Sequence, residues 1–198
     1  MAIKLINITK KFDQFVIFEQ YSNHINLGKT TCIMGASGSG KTTLLRIMLG
    51  LETIDDGRLE GLQQLKKSVV FQEDRLCENL TVAANIKLAR KKPLEISRIK
   101  AAISQVDLPE DCLMKAVKTL SGGQKRRVAI LRAILADYDI LFMDEPFKGL
   151  DLETKNAVMA YVKEMTKGKT VVLVTHDKKE YELLGHHLIN LSEDDFGD

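Results

Sequence analysis

Cysteine is scarce: Cys32, Cys77 and Cys112 are all that 198 residues contain, and they are odd in number, far apart and form no CxxC pair. This excludes a disulfide framework and a thiolate metal or redox centre, agrees with a reducing compartment, and leaves the three as core or surface thiols. Long apolar runs are missing too. The longest, such as Val171 to Val174 and Ile140 to Met143, fall far short of the ~20 residues a bilayer-spanning helix needs. The opening MAIKLINITKKF carries lysines where the apolar region of a signal peptide would continue, so secretion is not indicated. By itself such a chain is neither channel nor permease. Charge of one sign is also lacking: 29 Lys plus Arg stand against 27 Asp plus Glu. A net +2 exerts no broad pull on nucleic acid or anionic lipid, so any anion site must be local. Repeats, heptad runs and low-complexity segments are absent, which removes solenoid and linker-rich architectures.

What is present is a hydrophobic fraction of 44%, enough for an independent core in one domain spanning residues 1–198. Strand and helix signals alternate, as in a layered α/β domain. Ala2 to Ile8 predicts a strand with Ile3, Leu5 and Asn7 on one face; Val16 to Phe18 and His24 to Leu27 are short β candidates that would complete an antiparallel edge layer. Thr30 to Met34, Ser68 to Phe71, Ile140 to Met143 and Thr170 to Val174 are brief and mostly apolar, the pattern of strands buried on both faces of a mainly parallel central sheet. Between Gln72 and Ser121 helical stretches near Val82 to Arg90 and Glu95 to Val106 predict an inserted helical subdomain at about residues 73–128. Arg90, Lys91 and Lys92 fall where the first of these helices should end, as solvated capping cations.

Three motifs carry chemistry. Gly35, Ala36, Ser37, Gly38, Ser39, Gly40, Lys41, Thr42 match GxxxxGK[ST] between a predicted strand and a predicted helix, with Thr43 following. Glycines let backbone N–H groups turn toward phosphate oxygens, and the helix adds its positive end. Lys41 should reach the β and γ phosphates, and the Thr42 hydroxyl should bind Mg²⁺. Gly28, Lys29, Thr30 also spell GKT, but a strand follows them, which makes them a decoy. The second motif is Ile140 to Met143 followed by Asp144 and Glu145, two acids at the carboxyl end of a buried strand, where open α/β sheets bind ligands. Asp144 takes the metal role and Glu145 is left to orient or deprotonate water. The third is Leu120, Ser121, Gly122, Gly123, Gln124, a Ser-capped helix start with flexible glycines and thus a second anion cradle.

In this order, over nearly the whole chain, the motifs resemble the nucleotide-binding domain of ATP-binding-cassette (ABC) proteins. The resemblance implies a P-loop ATPase core whose Ser121, Gly122, Gly123 and Gln124 close over the ATP held by the P-loop of a second subunit, in a homodimer or a pseudo-dimer with another ABC ATPase. It implies that Gln72, in VVFQED, reaches Mg²⁺ and the attacking water, and that His176, in LVTHD, contacts the γ-phosphate. It further implies that Asp151, in KGLD, couples the two sites, and that Phe12 stacks on adenine. Tyr is the commoner residue at the Phe12 position, and a small Ala is frequent where Gly149 stands. The implied function is ATP binding and hydrolysis that drives a separate transmembrane permease from the cytoplasmic face of the membrane, as a peripheral subunit. The string FQEDRL before LTVAANI is similar to ATPases of nitrate, sulfonate and taurine importers, which favours import and an extracytoplasmic solute-binding protein as a further partner.

The residues after Gln72, namely Glu73, Asp74, Arg75, Leu76 and Cys77, would line the permease groove as a charged rim leading to Leu80 and Val82. With a short Gln72 to Ser121 region and a strand-like His187 to Leu191 near the end, no regulatory domain is expected, and Ser192 to Asp198 is expected to be a frayed acidic tail. The competing reading, a soluble ABC ATPase acting on nucleic acid or ribosomes, would call for a coiled-coil insertion or tandem cassettes, and neither is found. No nucleic-acid partner is expected.

Overall fold

The computed structural model describes residues 2–191; the acidic segment 192–198 lies outside the described residues. Strands β1 (Ala2–Phe12) and β2 (Phe15–Asn26) form a hairpin, after which β3 (Thr30–Gly35) leads into helix α1 (Lys41–Leu49). Strands β4 (Asp56–Glu60) and β5 (Lys67–Val70) precede helices α2 (Val82–Lys87) and α3 (Ile96–Gln105) and two short 3-10 turns, Glu110–Met114 and Val117–Thr119. Then come α4 (Gly122–Ile134), β6 (Ile140–Asp144), α5 (Leu152–Met165), β7 (Thr170–Val174), α6 (Lys178–Leu184) and β8 (His187–Leu191). The central sheet runs β5-β6-β7-β3-β8 with every pairing parallel, and a separate antiparallel sheet runs β2-β1-β4.

The apolar strands of the central sheet bury both faces because each face has its own core. Leu141, Met143, Val171, Leu173 and Cys32 point toward the helical side, while Ile140, Phe142, Val172, Val174 and Ile33 point toward α1 and the antiparallel sheet. Helix α1 is therefore enclosed between two sheets through Leu44, Leu45, Ile47 and Met48. It ends at Gly50, whose φ of 78° is the left-handed cap that only glycine adopts without strain. Burial pushes the Cys32 thiol up to about 12, as befits an inert core residue, whereas Cys77 is exposed.

Four expectations need correction. The two short β candidates after residue 15 are one continuous strand, since hairpin pairing with β1 carries the polar middle of β2. Asn7 is not on the inward face: a bulge places it at φ 50°, exposed and bonded to Ser22, and Ile8 takes the buried position instead. Strand β4 was not foreseen, because Asp56–Glu60 is polar and mostly exposed and is held by pairing with β1 alone. Finally, α2 stops at Lys87, and Arg90 caps a different helix, donating from Nη1 to the Leu135 carbonyl at the end of α4 (2.6 Å) and pairing with Asp137 (3.2 Å).

Candidate nucleotide site

The carboxyl ends of β3, β6 and β7 converge on a cavity of about 630 Å³, lined by residues 35–43 together with Gln72, Glu145, Lys148 and His176. The loop between β3 and α1 cradles it. A Cβ on Gly35 would lie 2.6 Å from both the Leu191 carbonyl oxygen and Ser39 Oγ, so the close turn demands glycine there. Lys41, 9% exposed, folds its ammonium over the loop and donates to the carbonyls of Gly35 (3.0 Å) and Ala36 (2.5 Å) and to Ser39 Oγ (3.4 Å). Gly28 and Lys29, by contrast, form the turn into β3, whose first residue is Thr30, and Gly28 N–H donates to Thr170 Oγ1 (2.9 Å).

Thr42 and Asp144 meet although 102 residues separate them: Thr42 Oγ1 donates to Asp144 Oδ2 at 3.1 Å. Asp144 ends β6 almost fully buried. Burial raises its carboxyl pKa, and neighbouring Glu145 adds to this against the Thr42 hydrogen bond and the cations Arg126 and Lys41. A hydroxyl, a carboxylate and the Gln72 amide beside a phosphate cradle fit Mg²⁺, which takes few protein oxygens and completes its shell with phosphates and water. Among the described residues no cluster of three or more His, Cys, Asp or Glu could hold a metal without such help.

Glu145 lies just past the strand at φ 44°, with its N–H donating to the Val174 carbonyl (3.0 Å). Its carboxylate receives Lys148 Nζ at 2.9 Å on Oε2 and faces His176 Nδ1 at 3.2 Å on Oε1. Burial works to raise the Glu145 carboxyl, but the hydrogen bonds from Lys148 and His176 outweigh it and hold the group below the ordinary carboxylate value. Lys148 is the lining residue that sequence reasoning missed. Its signal was slight, a lysine three positions after an acid at a strand end, and only the turn between β6 and α5 brings the two together.

The remaining candidates lie elsewhere. Ser121 caps α4: its Oγ accepts from Gln124 N–H (3.3 Å) while Gln124 Oε1 accepts from Ser121 N–H (3.0 Å). Gly122 and Gly123 follow on an open face where a Cβ on Gly122 would meet nothing within 4 Å. Asp151 caps α5 through Thr154 N–H (3.0 Å), and that backbone hydrogen bond lowers its carboxyl pKa. Phe12 is 41% exposed at the hairpin end, with the Lys10 ammonium 4.5 Å from its ring centre, outside the cavity lining. The groove residues also divide: Glu73 is exposed, whereas Asp74 pairs with buried Arg126 (3.2 Å).

A glycine cradle between a parallel strand and an enclosed helix, with a hydroxyl and a carboxylate side by side and a second acid facing a histidine, defines a P-loop nucleotide-binding protein. The chain belongs to the ABC transporter family, whose model, described as "ABC transporter", matches residues 18–148. It is 34% identical over 212 residues to the sulfate/thiosulfate import ATP-binding protein CysA 1 of Agrobacterium fabrum, covering 98% of this chain but only 61% of that relative's length. Similarity to the thiamine import ATP-binding protein ThiQ of Histophilus somni is 36% over 192 residues, 89% of each chain. Among solved structures, the dimeric structure of MJ0796, a bacterial ABC transporter cassette, superposes with a TM-score of 0.85 at 28% identity, covering 99% of this chain and 97% of that one. A second structure of that cassette, a post-hydrolysis state bound to ADP and Pi, gives 0.81 at 28% identity, covering 95% and 93%.

Proposed function

We propose that the chain is the ATP-binding and ATP-hydrolysing subunit of an ABC importer, driving a separate membrane permease from the cytoplasmic face as a peripheral protein. Family membership and the import ATPases among its relatives support this, as does the lack, among the described residues, of any helix long and apolar enough to cross a membrane. The observation that carries the reading is the convergence of Lys41, Thr42, Glu145 and His176 on one cavity, with Asp144 hydrogen-bonded to Thr42 beside it, while Ser121 caps a helix on an open face away from it.

Residues 35–43 bind the phosphates through backbone N–H groups and the Lys41 ammonium. Thr42, Asp144 and Gln72 would hold Mg²⁺, which when bound neutralises phosphate charge. Glu145 accepts the proton of the attacking water or orients it, and His176, hydrogen-bonded to that carboxylate, fixes its direction beside the γ-phosphate. Ser121, Gly122, Gly123 and Gln124 contact the ATP of a second copy or of a paired ABC ATPase, and Asp151 couples the two sites. Phe12 serves the adenine ring from the hairpin end. A solute-binding protein belongs to the import reading, and the solute is selected by chains other than this one.

The decisive experiment is Glu145→Gln. It should keep MgATP binding, slow turnover by roughly 10² to 10⁴, and hold an ATP-bridged dimer on size exclusion. A variant that turns over at the wild-type rate, or stays monomeric with MgATP at high protein concentration, would refute the assignment.

A further inference from the structure

Arg126 lies in the first turns of α4 and is only 5% exposed, yet it is not among the residues lining the nucleotide cavity. Each of its guanidinium nitrogens donates within the protein. Nε reaches the Pro146 carbonyl (2.7 Å), and Nη2 reaches those of Asp144 (3.0 Å) and Glu145 (2.6 Å). Nη1 reaches the carbonyls of Phe71 (2.6 Å) and Gln72 (3.3 Å) and the carboxylate of Asp74 (3.2 Å). One fork thus joins three segments that are remote in sequence: the helix that begins at Ser121, the stretch carrying Gln72, and the turn carrying Asp144 and Glu145.

That turn needs such a partner. Asp144 is the last residue of β6 and α5 begins only at Leu152; the Glu145 carbonyl also accepts from Lys148 N–H (3.2 Å), and the Arg126 fork gives a donor to each of the three carbonyls of residues 144–146. Glu145 also holds φ 44°, a conformation costly for a residue with a side chain and kept only where the surroundings over-determine it. A planar guanidinium with five donors in fixed directions can over-determine it, and a lysine ammonium on a flexible stem cannot.

We propose that Arg126 is a positioning residue: its fork locks the Glu145 turn and the Gln72 segment to the start of α4, so that base and glutamine keep their direction over the phosphate cradle. The inference rests on the reading of Glu145 as the base and adds to it the group that aims it. Asp74, whose carboxylate pairs with Nη1 of the fork (3.2 Å), holds Arg126 in place.

The test uses the full chain with Arg126→Lys, Arg126→Gln, Asp74→Asn and Glu145→Gln, measuring kcat, KM, affinity for a fluorescent ATP analogue with Mg²⁺, and thermal melting. Arg126→Lys should lower kcat by roughly tenfold or more while KM and nucleotide affinity move by less than about threefold, the mark of an interaction that acts on the chemical step. Asp74→Asn should lower kcat in the same direction but less. In a Glu145→Gln background, Arg126→Lys should lower the residual rate by much less than it lowers the wild-type rate, because the part of its effect that acts through Glu145 is already lost. Full activity in Arg126→Lys, or a rise in KM at constant kcat, would overturn the inference, as would an equal loss in both backgrounds. If Arg126→Gln does not fold, Arg126→Lys and Asp74→Asn decide alone. Wild-type turnover in Glu145→Gln would remove the base assignment, whereas an inactive Glu145→Gln beside a normal Arg126→Lys would remove only the role of Arg126.

Discussion

Lys41 and Lys29 occupy the same tripeptide, Gly-Lys-Thr, and differ in everything the backbone does around them. Lys41 starts a helix behind a glycine cradle and carries its charge over the cavity, whereas Lys29 sits in the turn that enters β3. Loss of a charge-assisted contact to phosphate is worth about 1.5–3 kcal/mol. Lys41→Ala should therefore weaken MgATP binding by at least roughly tenfold, while Lys29→Ala should leave it intact. Fluorescence titration checks both, and equal losses would mean that the cradle is misassigned. The same reasoning separates Glu73 from Asp74. Exposed Glu73 can be reversed without harm to the fold, but reversing Asp74 would place a cation against buried Arg126. Glu73→Lys is thus the variant to use: it should reduce membrane retention of the tagged protein while ATP turnover of the purified protein persists. Unchanged retention would count against docking at this rim.

At the scale of elements, α4 is the one whose two ends do different work. Its reciprocal Ser121–Gln124 cap satisfies backbone donors at the start, and Ser121→Ala should cost about 1 kcal/mol by denaturant unfolding. Ser121→Arg tests the other role of the same turn. It should abolish the ATP-bridged dimer of Glu145→Gln on size exclusion without weakening MgATP binding to the single subunit, since Ser121 is not among the residues lining the cavity. Persistence of the dimer would show that this face does not meet a second nucleotide. The other end of α4 is capped from outside, by Arg90, which ties the loop after α2 to the core.

The whole molecule is organised by the enclosure of α1. Because Phe142 fills the space between the central sheet and α1, Phe142→Ala should destabilise the protein by about 3–5 kcal/mol, measured by chemical unfolding. A loss below about 1 kcal/mol would mean that the two-sided core does not act as one unit. Ligand binding reports on the same framework. MgATP at about a hundred times the wild-type Kd should add about 2.7 kcal/mol to the apparent stability of the wild type and at most about 1.4 kcal/mol to that of Lys41→Ala.

Much of this was legible in the sequence, because strongly local physics wrote it there. The central strands were visible as short apolar runs, since burial on both faces removes alternation. The phosphate cradle was visible because only glycines at fixed spacing permit its turn, and the Ser121 cap because it depends on a contact three residues away. What the sequence left open depends on partners remote along the chain. Strand β4 exists only because β1 lends it an edge, and Asn7 turns outward only because a bulge shifts the register. Lys148 reaches Glu145 through a tight turn, and Arg90 finds the end of a helix 45 residues away. The sequence by itself determined the fold class, the phosphate loop and the acids at the end of β6. Tertiary structure alone decided that Thr42 meets Asp144 across 102 residues and that one arginine gathers the Gln72 stretch and the Glu145 turn. Long-range hydrogen bonds have no spacing rule, and only the packed layers set which groups come within 3 Å of each other.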